Sequence, residues 1–205
     1  MKNALSRCSW CLGDDIYTAY HDREWGKPQK NSVRLFEALI LDGAQAGLSW
    51  ITILKRREGY RAAFNSFDPE KIARYTAKDV NRLMQDARII RNRRKIESAI
   101  ENAKAYLNMT EGPVSFSKWL WNWVDGKPVV NHFKTPDEIP ASTELSERIS
   151  TELKKKGFSF VGPVIIYAFL QASGLVNDHL VSCFRHPCNS ASRPATPAGF
   201  KRETR

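Results

Sequence analysis

Long hydrophobic runs are absent from this chain: no apolar stretch approaches the roughly 20 residues that span a bilayer, and the N-terminal MKNALSRCSW has no hydrophobic signal core. A membrane span is thereby excluded, and a soluble cytoplasmic protein is expected. Cysteine is scarce, with four in 205 residues. That is too few for a secreted disulfide framework, so reduced thiols available to a metal are the more natural account. Sustained twofold alternation and internal repeats are also lacking, which leaves an all-α fold as the economical class. Acidic residues are outnumbered, 22 against 32 Lys and Arg, and the resulting formal charge of +10 would draw in a polyanion such as nucleic acid.

What is present suits one packed unit. Hydrophobic residues make up 42% of the chain and include six Trp, enough for a single core over residues 1–188. From Asn189 to Arg205 large apolar residues nearly vanish, and a disordered basic tail is expected there. Helical spacing is clear elsewhere. Leu35, Phe36, Leu39 and Ile40 form one stripe, and a second segment follows Gly47 with Leu48, Ile51, Thr52 and Leu54. Asp68-Pro69 supplies an N-cap and a proline at the first helical position of a short helix through Arg74. The pattern of Val80, Leu83 and Met84 predicts a helix from after Thr76 to about Ala87, and Ile96, Ile100, Ala103 and Leu107 another. Leu145, Ile149 and Leu153 make a stripe stopped by Gly157, while Val161 to Ala172 is apolar on nearly every face and reads as a buried central helix.

Basic residues gather in three places: Lys55 to Arg61, Arg88 to Lys95, and Lys154 to Lys156. The last reads as a solvated helix end. The second falls on a turn between two helical patterns, where backbone N–H groups at a helix start and flanking arginines suit a phosphate. Arg91, Arg93, Arg94 and Lys95 are the candidate DNA contacts; a surface turn with excess charge is the competing account. Such contacts read no bases, as patrolling DNA for damage would require.

Cys8 and His21 near the start and His179 and Cys183 near the end are ligand types that zinc favours, and two of each would fill a tetrahedral site. Four unrelated buried residues is the alternative, with Cys11, His132, His186 and Cys188 as further ligands or decoys. Tyr17 and Tyr20 are three apart and could share a helical face, and Trp25 and Trp50 complete an aromatic set able to stack an extrahelical base. Asp42 stands in an apolar segment, unusual for a carboxylate unless it is paired, functional or capping a helix.

These residues carry a resemblance over roughly Arg7 to Cys188. RCSW, YTAYHDREWG, LDGAQAGLSWITILKRREGYRAAF, FDP, KKKGFSFVGP, GLVNDHLVSC and the hairpin Ile89-Ile90-Arg91-Asn92-Arg93 closely resemble the DNA-3-methyladenine glycosylase I family of the helix-hairpin-helix superfamily. The resemblance implies an all-α, two-lobed fold with the base pocket between the lobes, and a structural zinc on Cys8, His21, His179 and Cys183 that ties the terminal segments together. It further implies that Tyr17, Tyr20, Trp25 and Trp50 line the pocket and that position 42 contacts the flipped base. The expected activity is monofunctional, hydrolytic excision of 3-methyladenine from alkylated double-stranded DNA by a monomer. The alternative is a zinc-stabilised protein that binds lesions without excising them.

Two departures from the family pattern stand out. Asp42 replaces the usual Glu, withdrawing the carboxylate by about 1.5 Å, and a misplacement of about 1 Å can cost roughly a hundredfold in rate. Arg88 and Arg94 stand where glycine is common, which argues against a positive φ at Arg88 and adds charge toward a phosphate.

Overall fold

The computed structural model describes residues 5–192. Ten α-helices occur among them: α1 (Asp15–Arg23), α2 (Ser32–Gln45), α3 (Trp50–Leu54), α4 (Arg57–Ala63), α5 (Pro69–Ala73), α6 (Ala77–Met84), α7 (Arg93–Thr110), α8 (Phe116–Asn122), α9 (Glu144–Lys155) and α10 (Pro163–Ala172). Two strands of two residues each, β1 (Val129–Val130) and β2 (Val176–Asn177), pair in parallel, with Val129 opposite Val176. They are too short to leave an alternating pattern in the sequence.

Local chemistry sets the helix ends. Asn31 opens α2 by accepting from the Arg34 amide at 3.0 Å, and Asp68 opens α5 by accepting from the Glu70 and Lys71 amides, with Pro69 as first residue. The central helix is α2, which packs against α3, α7, α8 and α10. Its Leu35, Phe36 and Leu39 are fully buried and meet a core built from Phe116 and Leu120 of α8, Ile149 and Leu153 of α9, and Ile166, Phe169 and Leu170 of α10. Each such side chain contributes about 1.5–3 kcal/mol. A smaller cluster of Cys8, Tyr20, Trp25, Leu54, Leu180 and Cys183 lies beside this core, and Trp50 packs against both. Gly174 joins the two regions. It takes φ +68°, and a Cβ there would collide with the Lys27 backbone, so glycine lets residues 26–29 cross the end of α10, where the Gly26 and Gln29 amides donate to Gln171 and Ser173 carbonyls.

The structure differs from the sequence reading in four places. Helix α6 ends at Met84 rather than near Ala87, because the Asp86 carboxylate accepts from the Arg88 amide and pairs with its guanidinium, which holds the chain in a turn. The third helix begins at Trp50, leaving Leu48 exposed in the preceding loop. Helix α10 begins at Pro163 and is not buried all round: Val164 is 57% exposed. At the C-terminus the 3-10 turn Pro187–Ser192 extends past Asn189, whose amide donates to the carbonyls of Val181 and Cys183. The rest of the expected tail, residues 193–205, lies outside the described residues. Arg88 does not adopt a positive φ.

Candidate active site and metal centre

Asp42 sits in the last turn of α2, inside the helix, so it is no N-cap. It is 4% exposed, its Oδ2 has no hydrogen-bond partner among the described residues, and burial pushes its carboxyl well above the usual carboxylate range. A buried polar atom left unpaired costs about 1–3 kcal/mol. The Trp50 Nε1 and the Ser173 Oγ are buried and unpartnered as well. All three side chains line cavities, which suits groups that wait for a ligand.

One cavity, of about 350 Å³, is walled by Trp10, Tyr17, Tyr20, Trp25, Asp42 and Trp50. Tyr17 and Tyr20 come from α1, whose N-cap Asp14 accepts from the Ile16 and Tyr17 amides. Burial raises the pKa of both phenols, so they remain O–H donors. The Tyr20 and Trp50 rings lie 5.5 Å apart at a tilt. The four aromatic residues expected to form a pocket are thus brought together around Asp42. Trp10 was not singled out as a pocket residue, yet it is the hub, set edge-on to Tyr17 at 4.9 Å and Trp25 at 5.0 Å; its place two residues after Cys8 was the available signal. Gln45, Gln171 and Ala172 also line the cavity and carry no sequence signature of that role. A second cavity, of about 340 Å³, shares Tyr20, Asp42, Trp50 and Ala172 with the first, is otherwise rich in charge, including Arg23, Glu24 and Arg57, and is also lined by Ser173.

Directly behind the aromatic wall, Cys8, His21, His179 and Cys183 are all buried, and their ligand atoms lie within 4.8 Å of one another. The Cys183 Sγ is 3.4 Å from the His21 Nε2 and 3.6 Å from the His179 Nδ1, which is 3.7 Å from the Cys8 Sγ. Both imidazoles are oriented by outer partners: the His21 Nδ1 is 2.8 Å from the Asp22 carboxylate, itself bound by Arg7, and the His179 Nε2 is 3.2 Å from the Trp25 carbonyl. Such partners select the tautomer that presents a lone pair to a metal. Burial lowers the pKa of His179 and keeps it neutral. The neighbouring Cys8, and after it His179 and His21, favour the thiolate of Cys183 against the opposition of burial, so its pKa is lowered. These four residues could hold one metal ion. Cys11 is not of the group, and its thiol donates to the Cys8 carbonyl.

A sequence profile of the methyladenine glycosylase family matches residues 10–186. The chain belongs to the methyladenine glycosylase family. It is 52% identical to DNA-3-methyladenine glycosylase 1 of Escherichia coli K12, over 90% of this chain and 99% of that protein. A crystal structure of 3-methyladenine DNA glycosylase I superposes with a TM-score of 0.87 at 51% identity, covering 89% of this chain and all of the other. A structure addressing 3-methyladenine recognition by the Staphylococcus aureus enzyme gives a TM-score of 0.84 at 40% identity, over 88% and 96% of the two chains.

In this glycosylase the basic hairpin lies between α6 and α7. Asn92 caps α7 by accepting from the Lys95 amide, and the first turn of α7 carries no acidic residue. Cations there oppose the helix dipole, an arrangement that an incoming anion would relieve. Arg91 and Arg94 are exposed and form no hydrogen bond or ion pair within the described residues. Arg93 reaches Asn81 and Glu97. The Lys95 ammonium turns inward and donates to the Ala44 and Ala46 carbonyls at 2.8 and 2.6 Å. It thereby clamps the end of α2 next to Asp42. Arg88 is likewise engaged by Asp86. No helix among the described residues is long and apolar enough to cross a membrane.

Proposed function

We infer that this protein is a DNA repair glycosylase that hydrolytically excises 3-methyladenine from alkylated DNA. The observation that carries the reading is the buried, unpartnered Asp42 carboxyl in a cavity walled by five aromatic side chains, in a chain of this family. N3-methylation places a positive charge on adenine, so the base is already a good leaving group and little acid assistance is required. Selection is the harder task. A flipped cationic base would stack on Trp50 and Trp10, where cation–π attraction is worth about 0.5–2 kcal/mol. Asp42 would supply the countercharge, and the Trp50 Nε1–H and the tyrosine hydroxyls are free to donate to the base edge. Water attacks the sugar carbon, and no lyase step is invoked.

Zinc is the ion we assign to the buried cluster. Tetrahedral zinc with ligand distances of about 2.3 Å to sulfur and 2.0–2.1 Å to nitrogen places those atoms about 3.6 Å apart, and the observed separations are 3.4, 3.6 and 3.7 Å. Four protein ligands would close the ion to water, so its contribution is structural: it would fasten the segment bearing Trp10, Tyr17 and Tyr20 to the segment after β2. The two side-chain clusters that share Trp50 support a two-lobed helix-hairpin-helix arrangement with the base pocket at their junction. We assign backbone contacts with double-stranded DNA to Arg91, Arg93 and Arg94, acting in a monomeric cytoplasmic enzyme.

Incubating the protein with methylated DNA and identifying the freed bases tests the activity: 3-methyladenine should appear, and intact binding without a released base would overturn the reading. Arg91→Ala and Arg94→Ala should each weaken DNA binding evenly across sequences and lower the slope of log affinity against log salt by about 1. Unchanged slopes would remove the hairpin from the DNA interface.

A further inference from the structure

We propose that this chain carries a second, solvent-accessible metal site, formed by His132, His186 and Cys188, for a borderline-soft divalent ion such as zinc or cobalt. Their ligand atoms lie within 4.8 Å of one another, and the two imidazole rings have centroids 5.1 Å apart. None of the three belongs to the buried cluster.

The site is half built and half adjustable. His186 is fully buried, and its Nε2 lies 3.0 Å from the Asn131 carbonyl. That contact fixes the Nε2–H tautomer and leaves the lone pair on Nδ1, as the Trp25 carbonyl does for His179 in the first cluster. Its surroundings are rigid. The Asn131 amide donates to the buried Asp178 carboxylate at 2.7 Å, β1 pairs with β2 just before it, and the His186 amide donates to the Cys183 carbonyl. Among the described residues, the group using the Nδ1 lone pair is the Cys188 backbone amide at 3.2 Å. A metal ion would exchange that long neutral hydrogen bond for a coordinate bond.

The other two ligands are free to come to it. His132 is exposed and makes no hydrogen bond within the described residues, and the Cys188 thiol is free and exposed. Rotation of two exposed side chains can shorten separations of up to 4.8 Å to the roughly 3.6 Å of a bound sulfur and nitrogen. Cys188 would bind as thiolate and release its proton to solvent. One nitrogen–nitrogen–sulfur set leaves a fourth position for water, so this site is open where the first is closed, and its ion should exchange faster.

Titration of the metal-stripped full chain with cobalt(II) and then zinc, followed by thiolate-to-cobalt absorption and by metal analysis, tests the assignment. About two equivalents should bind per chain, and a weak chelator should remove only one of them. Cys188→Ser and His132→Asn should each reduce the total to about one while the absorption of the two-thiolate site persists; both residues are exposed, so the fold is retained. A single equivalent in the parent chain would overturn the proposal, as would a second equivalent that survives in both variants.

Discussion

Asp42→Asn should slow release of 3-methyladenine from alkylated DNA by about a hundredfold or more, the usual cost of deleting one preorganised electrostatic partner, while leaving the protein folded. The physical reason is the conflict stored in this side chain. Burial raises its folded pKa above that of the unfolded chain, so the fold prefers the protonated acid. The contribution of Asp42 to stability is therefore full below the unfolded value of about 3.9 and is lost as pH rises through the folded value. A cationic base reverses the preference, since an adjacent positive charge favours the carboxylate. Excision by the parent should accordingly rise with pH through the folded pKa of Asp42, whereas the Asn variant should be slow and flat across that window. The variant should also lose the part of the decline in thermal stability with rising pH that belongs to this carboxyl. Single-turnover base release and melting curves, each measured against pH, check both halves. A parental rate in the variant would remove Asp42 from the reaction.

Cys183→Ser should remove the one equivalent of zinc assigned to the buried cluster and cost about 4 kcal/mol or more of stability, the range typical of a lost metal or buried network. Excision should fall only as far as the fold does. An ion held by the cluster would join positions 8 and 21 to positions 179 and 183, a clip across most of the chain. Asp22→Asn supplies a graded test, because all four ligands remain and only the partner of the His21 Nδ1 changes; zinc affinity should drop about 10–100-fold. Metal analysis, melting temperature and base release are read together. Loss of excision in Cys183→Ser with metal, fold and stability intact would mean that the cluster takes part in the chemistry.

Much of the site was legible because its chemistry is written in residue type. Two cysteines and two histidines, four aromatic residues and a carboxylate in an apolar segment each had an ordinary reading as core, chance burial or helix cap, and the structure gathers the aromatic residues around Asp42 and the cysteines and histidines within 4.8 Å of one another. Helix interiors were legible for a related reason, since burial of one face imposes a period that survives in the sequence. Ends were less so. The stop of α6 depends on one carboxylate, Asp86, turning back on Arg88, and nothing in the periodicity records that bond. The parallel pairing of β1 and β2 was invisible because two residues cannot display a period.

By itself the sequence determined the helical class and the aromatic inventory, which follow from local spacing and residue type, while its long motifs carried the resemblance that implied the family and singled out Cys8, His21, His179 and Cys183. Tertiary structure alone decided how those side chains are spent. Lys95 and Arg94 are adjacent cations in one basic run, yet the end of α2 presents two open carbonyls to the first and leaves the second in solvent. Trp10 sits at the hub of the cavity, two residues after Cys8, whose Sγ lies 3.7 Å from the Nδ1 of His179 in a segment distant in sequence. His186 was one possible ligand among several until the carbonyl of Asn131 fixed which of its nitrogens carries the lone pair. Residue type sets what a group can do; which partner reaches it first is settled by the packing of distant segments.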